Sequence, residues 1–323
     1  MLRIANREAL TAAVYAVGHF LVDLACALMM LHTLPDPVWF LVYNFCAFAM
    51  QMPIGLLSDI LGRNRPFALV GIALVLLAAC LLPGPLRVIA MGLGNACYHV
   101  GGGREALLHD DKMTGLGIFV SPGAVGIYLG TVLAQNETVH IAAFVALAII
   151  AAAAWVCCPG GVKRNPLSRP QPMLAMLMLI VVIVRSLIGL TMESPWKIGI
   201  FVMLGALAAA AGKAAGGFLG DKFGSRNASV LSLVLAAVLF LLPDVGIAGV
   251  LGVLLFNMTM PITLRRACDA VPGMEGFGFG LLTFGLFLGY LPSAFGITFA
   301  PWVGAVLSLA CAGLLWLDKG DVG

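Results

Sequence analysis

Hydrophobic positions fall in long unbroken blocks, and the polar residues collect in short breaks between them. Blocks lie at roughly 9–31, 35–58, 66–83, 86–108, 114–135, 138–158, 173–192, 195–218, 227–243, 246–265, 275–297 and 299–317. A bilayer-spanning helix needs about 20 mostly apolar residues. The pattern therefore predicts twelve membrane helices that use most of the 323 residues and leave no room for an extramembrane domain. A membrane β-barrel would instead show segments of about ten residues alternating in polarity, and these runs of Leu, Ala, Val and Ile do not alternate. The first block is too long for a cleaved leader and has no convincing small-residue cleavage site, so it is expected to stay as the first helix.

The polar breaks are not all alike. Gly55-Leu56-Leu57-Ser58-Asp59-Ile60-Leu61-Gly62-Arg63-Asn64-Arg65 separates the second and third blocks. Gly217-Phe218-Leu219-Gly220-Asp221-Lys222-Phe223-Gly224-Ser225-Arg226 repeats the pattern 162 positions later, half the chain length. An offset of that size reads as an internal duplication.

Composition agrees. Apolar residues make up 61% and charged residues 10%, with a mean hydropathy of +1.05, against about 25% charge in soluble domains. The eight cysteines sit mostly inside helices without Cys-x-x-Cys spacing, as buried apolar side chains do. The net charge of +3 is a matter of orientation. Arg3, Arg7, Arg63, Arg65, Lys112, Lys163, Arg164, Arg169, Lys222, Arg226, Arg265, Arg266 and Lys319 fall on one side, Arg87 and Lys197 on the other. Cytoplasmic loops are enriched in Lys and Arg, so both termini and the Pro- and Gly-rich linker 159–172 are expected in the cytoplasm of a multi-pass cell-membrane protein. The linker divides an N-terminal bundle, 1–158, from a C-terminal bundle, 173–323. Six helices return the chain to its starting side, which makes the halves parallel repeats.

Both polar breaks resemble the Gly-x-x-x-Asp-x-x-Gly-Arg motif of the major facilitator superfamily, with Ser225 standing in the second copy where the motif has its first Arg. The resemblance spans the whole chain, which is short for that family. It implies an all-α integral membrane fold of two six-helix parallel repeats, a secondary transporter working by alternating access, and a central cavity lined by helices 1, 4, 7 and 10. It also implies that Asp59 and Asp221, with Arg63, Arg65 and Arg226, gate the cytoplasmic side. An acid there can pair with arginines or with a helix N-terminus, where the dipole favours negative charge.

The 162-residue register relates Asp23 to Arg185, Asn95 to Asn257 and Arg104 to Arg266. His19 and Asp23, four apart, share one face of helix 1. An ionised carboxylate at mid-bilayer must be paired, solvated or protonated, and a His–Asp pair is suited to exchanging protons. A structural pair locking helix 1 is the alternative. Arg185 requires a carboxylate or an anionic ligand; an Asp23–Arg185 bridge between the halves is expected in one conformation, with snorkelling as the alternative. Lys213 is explained by snorkelling alone. Asn44, Asn95, Tyr98 and Asn257 are candidate cavity hydrogen-bonders.

The stretch Gly92-Leu93-Gly94-Asn95-Ala96-Cys97-Tyr98-His99-Val100-Gly101-Gly102-Gly103-Arg104-Glu105 resembles the helix 4 signature of fosmidomycin-resistance-type efflux proteins, and Gly18-His19-Phe20-x-x-Asp23 resembles their first helix. His99 and Arg104 match that signature, whereas Val100 and Gly101 replace its Pro and Glu. His99, Arg104 and Arg185 are thus expected to bind substrate. Ser121-Pro122-Gly123 in helix 5 resembles a Gly/Pro-rich antiporter motif with the order altered, and the glycines of helix 11 point to close helix packing.

The leading expectation is a monomeric proton-coupled antiporter exporting a small polar or anionic organic solute, with no cofactor and no enzymatic activity. One alternative takes His19, Asp23 and His99 as ligands for a divalent metal cargo. A remote one is an intramembrane lipid-modifying enzyme. No phosphate-cradling loop is present, and nothing points to nucleic acid.

Overall fold

In the computed structural model, residues 2–33, 36–109, 111–158 and 168–318 are described. Lys163, Arg164 and Lys319, which contribute to the orientation argument, and most of the linker lie outside them. Twelve helices run through the described residues, in order α1 (Leu2–Thr33), α2 (Pro37–Leu61), α3 (Arg65–Leu81), α4 (Gly84–His109), α5 (Met113–Val132), α6 (Glu137–Cys157), α7 (Pro172–Thr191), α8 (Ile200–Phe223), α9 (Ser225–Phe240), α10 (Gly246–Asp269), α11 (Glu275–Ala294) and α12 (Pro301–Trp316). Eight are long and apolar enough to cross a membrane. Helices α3, α9 and α12 are apolar but shorter. Helix α4 has the length, 26 residues, but carries Arg87, Asn95, His99, Arg104 and Glu105 in its sequence.

Two helices are interrupted, each next to a proline. In α2 the segment Phe45–Ala49 winds as a π-turn, just ahead of Pro53. Proline has no N–H to give the carbonyl four residues back, and a π-bulge is one way a helix absorbs such a defect. In α10 the break is at Met258, between Gly246–Asn257 and Thr259–Asp269, and Pro261 leaves the carbonyl of Asn257 without its helical donor.

Within the first half, α1 packs along α5 and α6, and α3 along α4. Within the second, α7 packs along α11, α8 along α10, and α9 along α12. The halves meet through α2 against α11 and α5 against α8. These junctions depend on glycine. A Cβ on Gly55 would lie 2.0 Å from the carbonyl oxygen of Gly276, and one on Gly280 would lie 2.3 Å from that of Gln51. In the mirrored junction, a Cβ on Gly217 would lie 2.7 Å from Met113 O and one on Gly117 2.8 Å from Lys213 O. Gln51 and Lys213 are 162 apart, as are Gly55 and Gly217, so the duplication preserves the contact pattern between the halves as well as the helices.

Candidate functional site

Asp23 on α1 is the hub of a buried cluster. Its Oδ1 accepts from Asn95 Nδ2 of α4 at 2.9 Å, and its Oδ2 lies 3.2 Å from His19 Nε2. His99 Nε2 lies 3.7 Å from Asp23 Oδ1 and 2.8 Å from His19 Nε2. The two rings meet edge-on, with centroids 4.3 Å apart. His19, Asp23, Asn95 and His99 are all less than one-tenth exposed.

The hydrogen bonds fix the tautomers. His19 Nδ1 is 2.6 Å from the carbonyl of Phe119 on α5, and His99 Nδ1 is 2.9 Å from the carbonyl of Asn95. A carbonyl oxygen only accepts, so each Nδ1 carries the hydrogen. Neutral rings would then present bare Nε2 lone pairs to each other at 2.8 Å, with a carboxylate beside them. That geometry needs one further proton, shared among His19, His99 and Asp23. Room for it is made by Gly123 of α5, where a Cβ would come within 2.4 Å of Asp23 Oδ2 and 2.5 Å of His19 Nε2.

The three ligand atoms of His19, Asp23 and His99 lie within 4.8 Å of one another, a set chemically suited to a metal. Two imidazole nitrogens on a tetrahedral ion at 2.0–2.1 Å stand about 3.4 Å apart. A separation of 2.8 Å is that of a hydrogen bond, so this arrangement fits a proton better than a metal.

In the other half, Arg185 on α7 is buried. Its Nη2 donates to Phe256 O of α10 at 3.2 Å, its guanidinium lies 5.1 Å from the Phe256 ring centroid, and its Nε has no partner. The expected Asp23–Arg185 bridge is not formed: Asp23 is taken up by the histidines and Asn95. Lys213 of α8 was expected to snorkel. It is only half-buried, yet near enough for Asp23, His99 and Arg185 to act on it electrostatically.

Three further expected ligands are Tyr98, Asn44 and Asn257. Tyr98 is in the packed core of the first half, its hydroxyl donating to Tyr15 O at 2.8 Å. Asn44 donates to Phe40 O at 2.8 Å. Asn257 donates to Val253 O at 2.8 Å in its own helix, half-buried beside the Arg185 site.

Arg104 is fully buried at the end of the molecule that holds both Asp motifs. Its Nε donates to Asp59 Oδ1 at 2.8 Å, its Nη1 bonds Asn64 Oδ1, and Asn64 Nδ2 donates to Glu105 Oε2 at 2.7 Å. Asp59 also accepts from the backbone N–H groups of Gly276 and Phe277, at 2.9 and 2.7 Å. Asp221 does the same in mirror image, accepting from Met113 N at 2.8 Å and from Thr114 N at 2.9 Å. Each acid thus caps a helix of the opposite half, where unsatisfied N–H groups and the helix dipole favour a carboxylate. Gly62 and Gly224 end α2 and α8 at φ of 64° and 84°, the left-handed region that makes glycine the usual residue there.

The arginines after the motif do not reach these acids. Arg65 donates to Trp155 O and Cys158 O at 3.1 Å and stacks on Trp155. Arg226 stacks on Trp316, and Arg63 is exposed. Sequence reasoning missed Asn64, Glu105, Gly123 and Lys213. For Lys213 a signal was available, since it is the register mate of Gln51 at the junction of the halves.

No protein-family profile and no curated protein sequence matches the chain. Solved structures do. A variant of the E. coli fucose:proton symporter FucP aligns with a TM-score of 0.66 at 13% identity over 96% of this chain and 97% of that one. FucP in an outward conformation, described as a major facilitator superfamily transporter, aligns with a TM-score of 0.67 at 12% identity over 96% and 98%. The human organic anion transporter MFSD10 (TETRAN) aligns with a TM-score of 0.69 at 15% identity over 96% and 98%. The fold is therefore the all-α, multi-pass membrane fold of major facilitator transporters.

Proposed function

We propose that the protein is a proton-coupled secondary transporter of a small anionic organic solute, working by alternating access as a monomer in the cell membrane. The observation that carries the reading is the pair of Nε2 atoms 2.8 Å apart beside Asp23, a buried arrangement with one proton shared among three bases. Intramembrane ionisable residues mark proton relays and substrate paths. In this reading His19, Asp23 and His99 hold the coupling proton, oriented by Asn95 and Phe119 O. Arg185 faces the solute. Asp59 and Asp221 close one side of the cavity by capping α11 and α5, and the basic loops put that side and both termini in the cytoplasm. Arg104 is a gate residue here, holding Asp59 in position. The bundles 1–158 and 173–323 are the bodies that rock against each other.

Two structural neighbours lend support: one is a proton symporter and one an organic anion transporter. The metal-cargo alternative loses ground on the nitrogen spacing, and an intramembrane enzyme would have no use for two helix-capping junctions. Efflux by proton exchange, implied by the fosmidomycin-type resemblance, is one of two possible coupling signs, and the charge distribution considered next favours the other. The test is solute-driven proton movement in proteoliposomes. A substrate-dependent change in internal pH is expected with wild type and lost with Asp23→Asn. Solute movement with no proton flux, unaltered in Asp23→Asn, would reduce the cluster to a structural one.

A further inference from the structure

Arg185 and Lys213 are cations on the successive helices α7 and α8; among the described residues neither is ion-paired, and Asp23 is the acid that acts on Lys213. Their helices converge on one turn of α10. Arg185 bonds the carbonyl of Phe256 and stacks on its ring. Gly212, the residue before Lys213, is the point at which α8 meets α10, since a Cβ there would lie 2.1 Å from Leu254 O and 3.2 Å from Asn257 Cβ. Among the described residues Lys213 makes no hydrogen bond or ion pair, and Arg185 Nε is buried without a partner. A buried cation without a counter-ion costs several kcal/mol. Arg185 has no acid partner, and the one acid acting on Lys213 is Asp23, already held by two histidines and Asn95, so an anion from outside the protein would compensate both.

We infer that Arg185 and Lys213, with Asn257 beside them, form a binding site for a small organic dianion, and that the dianion and the coupling proton bind together. This rests on the transporter reading and adds the charge of the substrate and the sign of coupling. The reasoning is charge balance. With its shared proton the His19–Asp23–His99 cluster is neutral overall, so Arg185 and Lys213 leave two positive charges, which a dianion cancels. Loss of that proton leaves the cluster at minus one, facing the same dianion. Binding of either therefore favours the other, and linkage makes this reciprocal. Co-binding is the condition for symport, whereas exchange requires competition. The titratable groups acting on the cluster are Cys26 on α1, Tyr43 on α2, Tyr98 on α4 and Lys213 on α8, and Arg185 acts in turn on Lys213. The thiol and phenols are neutral near neutrality, which leaves the two cations and the cluster to set the balance.

Sulfonates test this cleanly because their charge does not change near neutrality. Ethane-1,2-disulfonate, sulfate, methanesulfonate and tetramethylammonium would each be titrated into the purified full-length protein at about pH 6 and pH 8, either side of the ordinary His value of about 6.5. The readouts are thermal stability and calorimetry. Disulfonate is expected to bind more tightly than methanesulfonate, and about 5- to 150-fold more tightly at the lower pH. A preference for disulfonate over sulfate indicates separated charges, and the reverse a compact dianion. Lys213→Gln should weaken dianion binding about thirtyfold or more, with Lys213→Arg retaining it; Asp23→Asn should flatten the pH dependence. No dianion binding, equal affinity for the monoanion, an unaffected Lys213→Gln, or tighter binding at the higher pH would each overturn the inference. Proteoliposome flux lost in Asp23→Asn would leave the transporter reading standing in that event. Normal dianion binding without any proton flux would instead overturn the transporter reading and leave the site.

Discussion

At the scale of single residues, the same side-chain type has different work depending on what surrounds it. Arg104 and Arg185 are both buried arginines on helices expected to line a cavity. Arg104 is held by the Asp59 carboxylate and by Asn64 at one end of the molecule, with only its Nη2 unpartnered, whereas Arg185 has a ring, one carbonyl, an unpartnered Nε and no carboxylate. Removing Arg104 would leave Asp59 buried and short of its cation, a defect worth about 3–5 kcal/mol. Arg104→Gln is therefore expected to lower the melting temperature in detergent markedly, while anion affinity, measured by calorimetry, changes little. A large loss of affinity with unchanged stability would return Arg104 to the substrate site, where its motif first put it. The i, i+4 spacing made the His19–Asp23 contact legible in the sequence. His99 was grouped with them only as the third ligand of the metal alternative; its direct contact with His19 was not legible, because it joins α1 to α4 across 80 positions. The neighbours of Lys213 were not legible, because depth along a helix says nothing about which groups share that depth.

Among the helices, glycine and aspartate together make the junctions. Gly55 and Gly276 bring α2 and α11 into backbone contact, and only at that distance can Asp59 reach the N–H groups of Gly276 and Phe277. Gly217 and Asp221 repeat the device between α8 and α5. A side chain at position 55 would wedge the junction apart. Gly55→Val is accordingly expected to expose Ser58, which is wholly buried. With a cysteine at position 58 in an otherwise cysteine-free chain, alkylation by an impermeant maleimide from the cytoplasmic side should rise several-fold over the Gly55 parent. Unchanged labelling would mean that closure does not depend on this approach. That an acid in this motif could meet arginines or a helix N-terminus was readable from the motif. Which arginine it meets was not: Arg104 comes from α4, far away in sequence, while Arg65 turns to the end of α6.

Over the whole molecule, duplication kept the rim and diverged at the centre. The capping acids, the junction glycines and the stacked Arg–Trp pairs recur in both halves. In the 162-residue register Asp23 corresponds to Arg185 and Gln51 to Lys213, so one half carries the His–Asp cluster and the other Arg185 and Lys213. The twelve-helix fold and its duplication were fully legible, because long apolar blocks and a half-length repeat are local signals. The divided centre was only half legible, since charge balance depends on which helices face one another. The claim on which the account turns is the single proton shared at the histidine pair. Nitrogen-15 NMR of histidine-labelled protein in liposomes, assigned with His19→Gln and His99→Gln, tests it directly. The account predicts protonated Nδ1 atoms on both rings and Nε2 resonances intermediate between protonated and bare, becoming fully bare once the pH is raised far enough to remove the proton. Independently protonated Nε2 atoms on both rings, or bare ones at every pH, would contradict it.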